Sequence, residues 1–253
     1  MLERRPLTPE LSVSLLGLGT VKLGRNQGVK YPQGFELPSD RQVDELLHTA
    51  QELGINLIDT APAYGLAEQR LGQRLPGPRD SWVLGTKVGE RFDGASHFDF
   101  TSKGARQSLD TSLRLLNTDY LDYVLLHSDG DDLAVLNSGA CEQLIAAKQA
   151  GWIRAVGISS KTLGGAEQAL TLGLDIVMLT INPEYPDEIP AAAQAAQLQR
   201  GVLVKKAMGS GHLSPEKSLP WVAGTPGVSA IIAGTLNPDH LRANARTLGY
   251  KDT

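Results

Sequence analysis

Eight short apolar, β-branched runs recur along this chain, and after each comes a stretch with helical spacing or strong helix formers. The runs are Ser12 to Leu16, Asn56 to Thr60, Trp82 to Val88, Tyr123 to His127, Arg154 to Ser159, Ile176 to Ile181, Val202 to Lys206 and Ser229 to Ala233. The helical stretches are Ser39 to Leu53, Leu66 to Leu75, Ser102 to Leu116, Ala140 to Ala150, Leu163 to Leu172, Ile189 to Gln199, Pro215 to Val222 and Pro238 to Leu248. Ser39 and Asp40 open the first helix, while Gly54, Gly151, Gly173 and Gly201 close four of them. An open doubly wound sheet could carry such units. Eight regular ones in 253 residues fit a closed barrel better, and the expected fold is α/β, a (β/α)8 TIM barrel. No linker or low-complexity tract divides the chain, so residues 1–253 are read as one domain.

Composition narrows the partners. A formal charge of −4 without any basic run leaves no footprint for nucleic acid or an anionic membrane. No apolar window reaches transmembrane length, and Met-Leu-Glu-Arg-Arg-Pro at the amino terminus precedes no signal core, so a cytoplasmic protein is expected. The single cysteine, Cys141, allows neither an internal disulfide nor an all-cysteine metal site and reads as a small apolar helix residue.

Chemistry concentrates at strand ends. The run Ile55-Asn-Leu-Ile-Asp-Thr-Ala-Pro-Ala-Tyr-Gly65 ends in an acid and then, after a turn, a tyrosine. Taken alone, Asp59 could simply cap the next helix and Tyr64 pack on a rim. Lys87 closes the third run, however, and His127 the fourth, so a barrel would gather all four at its carboxyl face, where such enzymes hold their chemistry. A lysine beside a tyrosine hydroxyl favours the phenolate, and an aspartate keeps that lysine charged. Tyr64 is therefore expected to be a proton donor of lowered pKa, with His127 orienting a carbonyl oxygen. General acid assistance contributes about 10²–10⁴-fold, and the set contains no activated nucleophile or zinc spacing, so a bound hydride donor is implied.

These residues carry a resemblance. The string Gly54 to Gly65 with Glu68 and Gly72, continuing through Lys87, His127, Val156-Gly-Ile-Ser159 and Gly234-Thr-Leu-Asn-Pro-Asp-His-Leu-Arg-Ala-Asn244, resembles the aldo-keto reductases. The resemblance implies a (β/α)8 barrel that binds a nicotinamide cofactor and reduces aldehydes or ketones. It maps the catalytic tetrad onto Asp59, Tyr64, Lys87 and His127. It also implies cofactor contacts at Gly19, Thr20, Val21 and Lys22 near the ribose and pyrophosphate. Further contacts fall at Asp59, Ser159, Ser160, Met178 and Ile181 toward the nicotinamide, at Lys205, Lys206, Met208, Gly209 and Gly211 after the seventh run, and at Gly234, Thr235, His240 and Asn244 around the adenosine. Lys206 is the favoured phosphate contact of the lysine pair.

Departures from the family pattern are expected to matter. Ser159-Ser160 stands where many members have Ser-Asn. Met178 and Ile181 replace a glutamine and a ring-stacking tyrosine, so Ile181 would cover the nicotinamide by dispersion only. His240, with Arg242 nearby, stands at the usual phosphate-binding arginine, leaving NADP(H) ahead of NAD(H). The chain ends at Thr253, without the substrate-narrowing C-terminal loop of longer members. His48, His97 and the Asp129-Gly-Asp-Asp132 cluster read as solvated, Gly17-Leu-Gly19 as a turn rather than a Rossmann fingerprint, and Trp221 and Tyr31 as candidates for the mouth. A monomeric carbonyl reductase acting on a small-molecule carbonyl substrate is the leading function, with a non-catalytic nucleotide-binding, redox-sensing module as the alternative.

Overall fold

The computed structural model describes residues 2–251, so the Thr253 end lies outside the described residues. The strands are β1 (Arg4–Thr8), β2 (Leu11–Ser14), β3 (Leu16–Gly19), β4 (Leu57–Asp59), β5 (Val83–Val88), β6 (Glu90–Phe92), β7 (Ser96–Phe98), β8 (Leu121–His127), β9 (Ile153–Ser159), β10 (Ile176–Thr180), β11 (Gly201–Lys205) and β12 (Ala230–Ala233). The helices are α1 (Val21–Gly24), α2 (Asp40–Glu52), α3 (Ala67–Arg74), α4 (Ser102–Leu115), α5 (Asp132–Leu136), α6 (Gly139–Gln149), α7 (Leu163–Thr171), α8 (Ile189–Gln197), α9 (Pro215–Ala223) and α10 (Pro238–Thr247). Eight parallel strands close in the order β3-β4-β5-β8-β9-β10-β11-β12, with β12 pairing back onto β3. This is the (β/α)8 barrel expected from the alternation.

Local chemistry starts the helices where the sequence places them. Ser39 caps α2 in a capping box, its hydroxyl accepting from the Gln42 amide while the Gln42 side chain accepts from the Ser39 amide. Thr101 caps α4 through the Gly104 amide at 3.0 Å.

The first expected strand needs correction. Ser12 to Leu16 straddles two elements: β1 and β2 form an antiparallel hairpin, and the first barrel strand, β3, begins only at Leu16. The alternating pattern of Leu11 to Ser14 was real, but it serves a plug. Leu7, Leu11 and Val13 of the hairpin pack with Leu57, Tyr123, Ile176 and Leu203 of the strands, sealing the amino-terminal end of the barrel. Each such side chain contributes about 1.5–3 kcal/mol when fully buried. Asn56 ties plug to barrel, its carbonyl accepting from Ser14 N at 2.7 Å and its amide donating to Ser12 O at 3.0 Å.

Strand alternation then separates two shells. Leu203 and Lys205 of β11, Met178 of β10 and Tyr123, Leu125 and His127 of β8 share the inner parity, while Val202, Val204, Val124 and Leu126 pack outward against the helices. Beyond the eight units and the plug, three additions among the described residues were not visible in the sequence: the short helix α1, the short helix α5 and the hairpin β6/β7. The second of these corrects the acidic cluster. Asp131 caps α5, and Asp132 is buried, its carboxylate accepting from the amides of Lys161 and Thr162 and from the Thr162 hydroxyl. Those acids cap and brace a loop. Among the described residues no group of three or more potential metal ligands occurs, and no helix is long and apolar enough to cross a membrane.

Candidate active site

Asp59 ends β4, Lys87 lies near the end of β5 and His127 ends β8, so adjacent strands present them at one mouth of the barrel. Tyr64 arrives from the 3-10 turn Pro62–Tyr64 that follows β4. The four expected residues do converge. Lys87 Nζ donates to Asp59 Oδ2 at 2.7 Å, to the Thr60 carbonyl at 2.9 Å and to Tyr64 Oη at 3.2 Å. The Lys87–Asp59 pair is almost wholly buried, with side-chain exposures of 1% and 3%. Burial alone would drive the ammonium to lose its proton, but the Asp59 charge and the Tyr64 hydroxyl outweigh it, so the Lys87 pKa is held above its ordinary value.

Tyr64 departs from expectation in sign. Burial raises its pKa more than the Lys87 charge lowers it, and Asp59 adds to the rise, so the phenol keeps its proton. Lys87 opposes the stronger effect of burial rather than creating a phenolate. Close backbone approach places this tyrosine: a Cβ at Gly24 would lie 2.2 Å from the Tyr64 carbonyl oxygen, so α1 packs on the turn only through a glycine.

Three site residues escaped the sequence reading. Tyr123 points into the barrel and its hydroxyl donates to Asp59 Oδ1 at 3.1 Å, giving the aspartate a second partner. Its ring occupies the space of a missing side chain, since a Cβ at Gly85 would meet it at 1.9 Å. The alternation Tyr123, Leu125, His127 was the available signal. Glu90 of β6 sits 3.0 Å from His127 Nδ1, off the line of a well-formed hydrogen bond. Burial opposes ionisation of Glu90, yet His127, Ser96 and Arg25 together bring its pKa down to about 2. Arg25 lies 3.7 Å from Glu90 and donates to the Ala63 carbonyl, linking the hairpin to the Tyr64 turn. Burial lowers the His127 pKa despite Glu90, so its imidazole is neutral at pH 7.

The expected cofactor contacts divide. Lys205 and Lys206 point to different places. Lys205 turns inward, donating to Ser159 Oγ at 2.8 Å and to the Ser160 carbonyl, whereas Lys206 is exposed and within electrostatic reach of Lys30 and Lys161. Met178 is inward and buried beneath that layer. Ile181 is a correction: it is fully buried in the shell between barrel and helices and has no face to offer a nicotinamide ring. Ser160 is likewise fully buried, its hydroxyl directed to the Met178 carbonyl. Thr20 is locked on Asp59, its amide and hydroxyl both donating to the Asp59 carbonyl. Lys22 is held over the Tyr31 ring at 4.1 Å, so it is no solvated turn lysine.

Gly19 and Val21 remain half-buried at the mouth, and Met208 to Gly211 form its turn, with Gly209 and Gly211 at φ of 55° and 100°. Gly234 lies across from Tyr31, whose hydroxyl would be 3.6 Å from a Cβ there, and this puts Tyr31 at the mouth. Thr235 accepts from the Asn237 amide at the start of α10, Asn244 is buried, and His240 is exposed on the first turn. Arg242 is drawn toward α2, bonding Thr49 Oγ1 at 3.2 Å and lying 3.5 Å from Glu52. Trp221 is 39% exposed on α9, and His48 and His97 are exposed as expected, His97 lying beside Asp93.

The model of the aldo/keto reductase family matches residues 15–192. The chain is 30% identical to the methylglyoxal reductase YeaE of Escherichia coli, with 94% of this chain and 87% of that protein aligned. A solved Pseudomonas aeruginosa structure described as an aldo-keto reductase superposes with a TM-score of 0.89 at 48% identity, covering 97% of this chain and 93% of that one. The holo form of an aldo-keto reductase from Bacillus halodurans gives a TM-score of 0.84 at 25% identity, covering 100% and 93%. With a buried Asp-Lys pair against a half-buried tyrosine, and a histidine, at one mouth of a closed eight-stranded barrel, and with these relatives, the chain belongs to the aldo/keto reductase family of nicotinamide-dependent oxidoreductases.

Proposed function

We propose that this protein is an NAD(P)H-dependent carbonyl reductase in which Tyr64 protonates the oxygen of an aldehyde or ketone. The observation that carries the reading is the single ammonium of Lys87 touching both Asp59 and Tyr64 Oη inside the barrel mouth. Tyr64 keeps its proton until the carbonyl oxygen gains negative charge, and Lys87 then stabilises the phenolate left behind. His127 orients the carbonyl from the end of β8, its ring lying edge-on to Tyr64 at 6.3 Å between centroids. The nicotinamide supplies the hydride when bound.

The chemistry of the rim suits that group. Lys206 near Lys30 and Lys161 offers positive charge to phosphates, and Gly209 and Gly211 leave backbone without side-chain cover beside it. Ser159 and Lys205 lie at the nicotinamide end. Gly19, Val21, Met208, Gly234, Thr235, His240 and Asn244 complete the cofactor contacts, with NADP(H) preferred over NAD(H). Residues 1–253 act as one domain, a cytoplasmic monomer.

Similarity to a methylglyoxal reductase makes a short dicarbonyl the first substrate to test. Wild-type protein should turn over methylglyoxal with NADPH. Tyr64→Phe should lose about 10²–10⁴-fold in kcat/KM with an unchanged NADPH Kd. Equal turnover by the variant would remove Tyr64 from the mechanism, and tight NADPH binding without turnover of any carbonyl would favour the redox-sensing module. His240→Arg should tighten NADPH over NADH by roughly 1 kcal/mol, the scale of an exposed charge pair.

A further inference from the structure

Among the described residues two lysines, Lys87 and Lys205, turn inward at the barrel mouth, and of these two Lys87 alone has a carboxylate in contact. Lys205 occupies the inner parity of β11, paired in register with Thr180 of β10. Its ammonium is held by neutral acceptors, Ser159 Oγ and the Ser160 carbonyl. Two buried acids are within electrostatic reach, but each is engaged elsewhere: Glu188 accepts from the Thr180 amide at 2.8 Å, and Asp132 from the loop at Lys161 and Thr162. Among the described residues no carboxylate lies within ion-pairing distance of Lys205. An incompletely compensated positive charge thus sits beside Ser159, in the part of the mouth assigned above to the nicotinamide.

That charge meets a ring whose own charge changes in the reaction. The oxidised nicotinamide is a cation and the reduced ring is neutral. Two unit charges within several ångströms at a partly buried site repel strongly enough to alter affinity by an order of magnitude. We propose that Lys205 discriminates the redox state of the cofactor, weakening the oxidised form relative to the reduced form and assisting its departure after turnover. This rests on the proposed placement of the nicotinamide by Ser159. The residue is a specificity determinant for the cofactor, and it leaves the proton donation by Tyr64 untouched.

The discrimination should depend on pH. Burial brings the Lys205 pKa down to about 7, with Lys206 and Lys87 adding repulsion and Glu188 and Asp132 opposing it. Around it, Tyr64 keeps its proton through this range, Glu90 is ionised, and His127 is below its ordinary value. Burial raises the Glu188 pKa while the Thr180 amide, Lys205 and Lys206 lower it, so a charge-fixed variant is needed as control.

The experiment is a fluorescence titration of Kd for NADP+ and NADPH at pH 6.5 and 9 with wild type, Lys205→Met and Lys205→Arg. The 2′-phosphate is common to both ligands and cancels in the ratio. For wild type the ratio Kd(NADP+)/Kd(NADPH) should be roughly fourfold larger at pH 6.5 than at pH 9, the limit set by a lysine that titrates at about 7. Lys205→Met should show the low ratio at both pH values and Lys205→Arg the high ratio at both. A wild-type ratio independent of pH, or a Lys205→Arg ratio that still falls at pH 9, overturns the proposal even if Lys205→Met does not fold. Binding of both cofactors with ratios unaffected by substitution sinks this inference alone. Failure of wild type to bind either cofactor sinks the functional reading with it.

Discussion

The two inward lysines differ in one contact, and their chemistry diverges accordingly. Lys87 has Asp59 at 2.7 Å and is held above its ordinary pKa, whereas Lys205 has only hydroxyl and carbonyl oxygens and falls to about 7. Burial acts downward on both. A single carboxylate in contact therefore decides whether a barrel lysine is a permanent charge supporting a tyrosine or a charge that fades near neutrality.

The largest expected effect comes from breaking the paired side. Lys87→Met strands Asp59 as a buried, uncompensated charge and should destabilise the fold by about 3–5 kcal/mol in urea titration. It should also lower carbonyl reduction by at least about 10²-fold. Lys205→Met removes a cation that has no such partner, and should change the urea midpoint far less. Equal losses in the two variants would erase the distinction.

Asp59→Asn sharpens it by converting one lysine into the likeness of the other. The Lys87 pKa should then fall, with a stability loss approaching that of Lys87→Met, read by the same titration. Tyr123 would lose its charged acceptor in the same variant.

A smaller effect separates the lysines by pH. A lysine whose folded pKa lies below its unfolded value of about 10.4 costs stability as pH falls through that value toward the folded one, because the unfolded chain takes up the proton first. Lys205, at about 7, should thus make wild type gain stability relative to Lys205→Met as pH rises from 7 to 10. Lys87, raised, contributes no such slope in this window. Parallel profiles for wild type and variant would show that Lys205 is better compensated than its contacts indicate.

The smallest effect tests the satellite carboxylate. Glu90 at about 2 stabilises the fold above its unfolded pKa near 4.3, and that stability is lost as pH falls toward 2. Glu90→Gln should flatten this acid limb by about 1 kcal/mol and lower the His127 pKa further, measurable by NMR titration of the imidazole. An unmoved His127 would detach Glu90 from the site.

Much of this site was legible because each tetrad residue ends or follows a strand in the sequence, where alternation of strand and helix already fixes the face. Tyr123 was legible in principle, two residues apart from Leu125 and His127 on one parity. Glu90 was not, since Glu90-Arg-Phe92 carries no strand pattern and joins His127 only through a hairpin that folds back on the Tyr64 turn. Ser12 to Leu16 misled for a related reason: alternation reports one buried face and does not say whether that face belongs to the barrel or to its plug.

The sequence by itself determined the alternation, the barrel that follows from it, and the residue types offered at the mouth, because periodicity and strand ends are local properties. Only the tertiary structure decided that Lys205 turns inward while Lys206 turns out, that Ile181 is lost to the outer shell, and that Tyr64 is raised rather than lowered. These outcomes depend on register and desolvation, and both are set by neighbours far away in the chain.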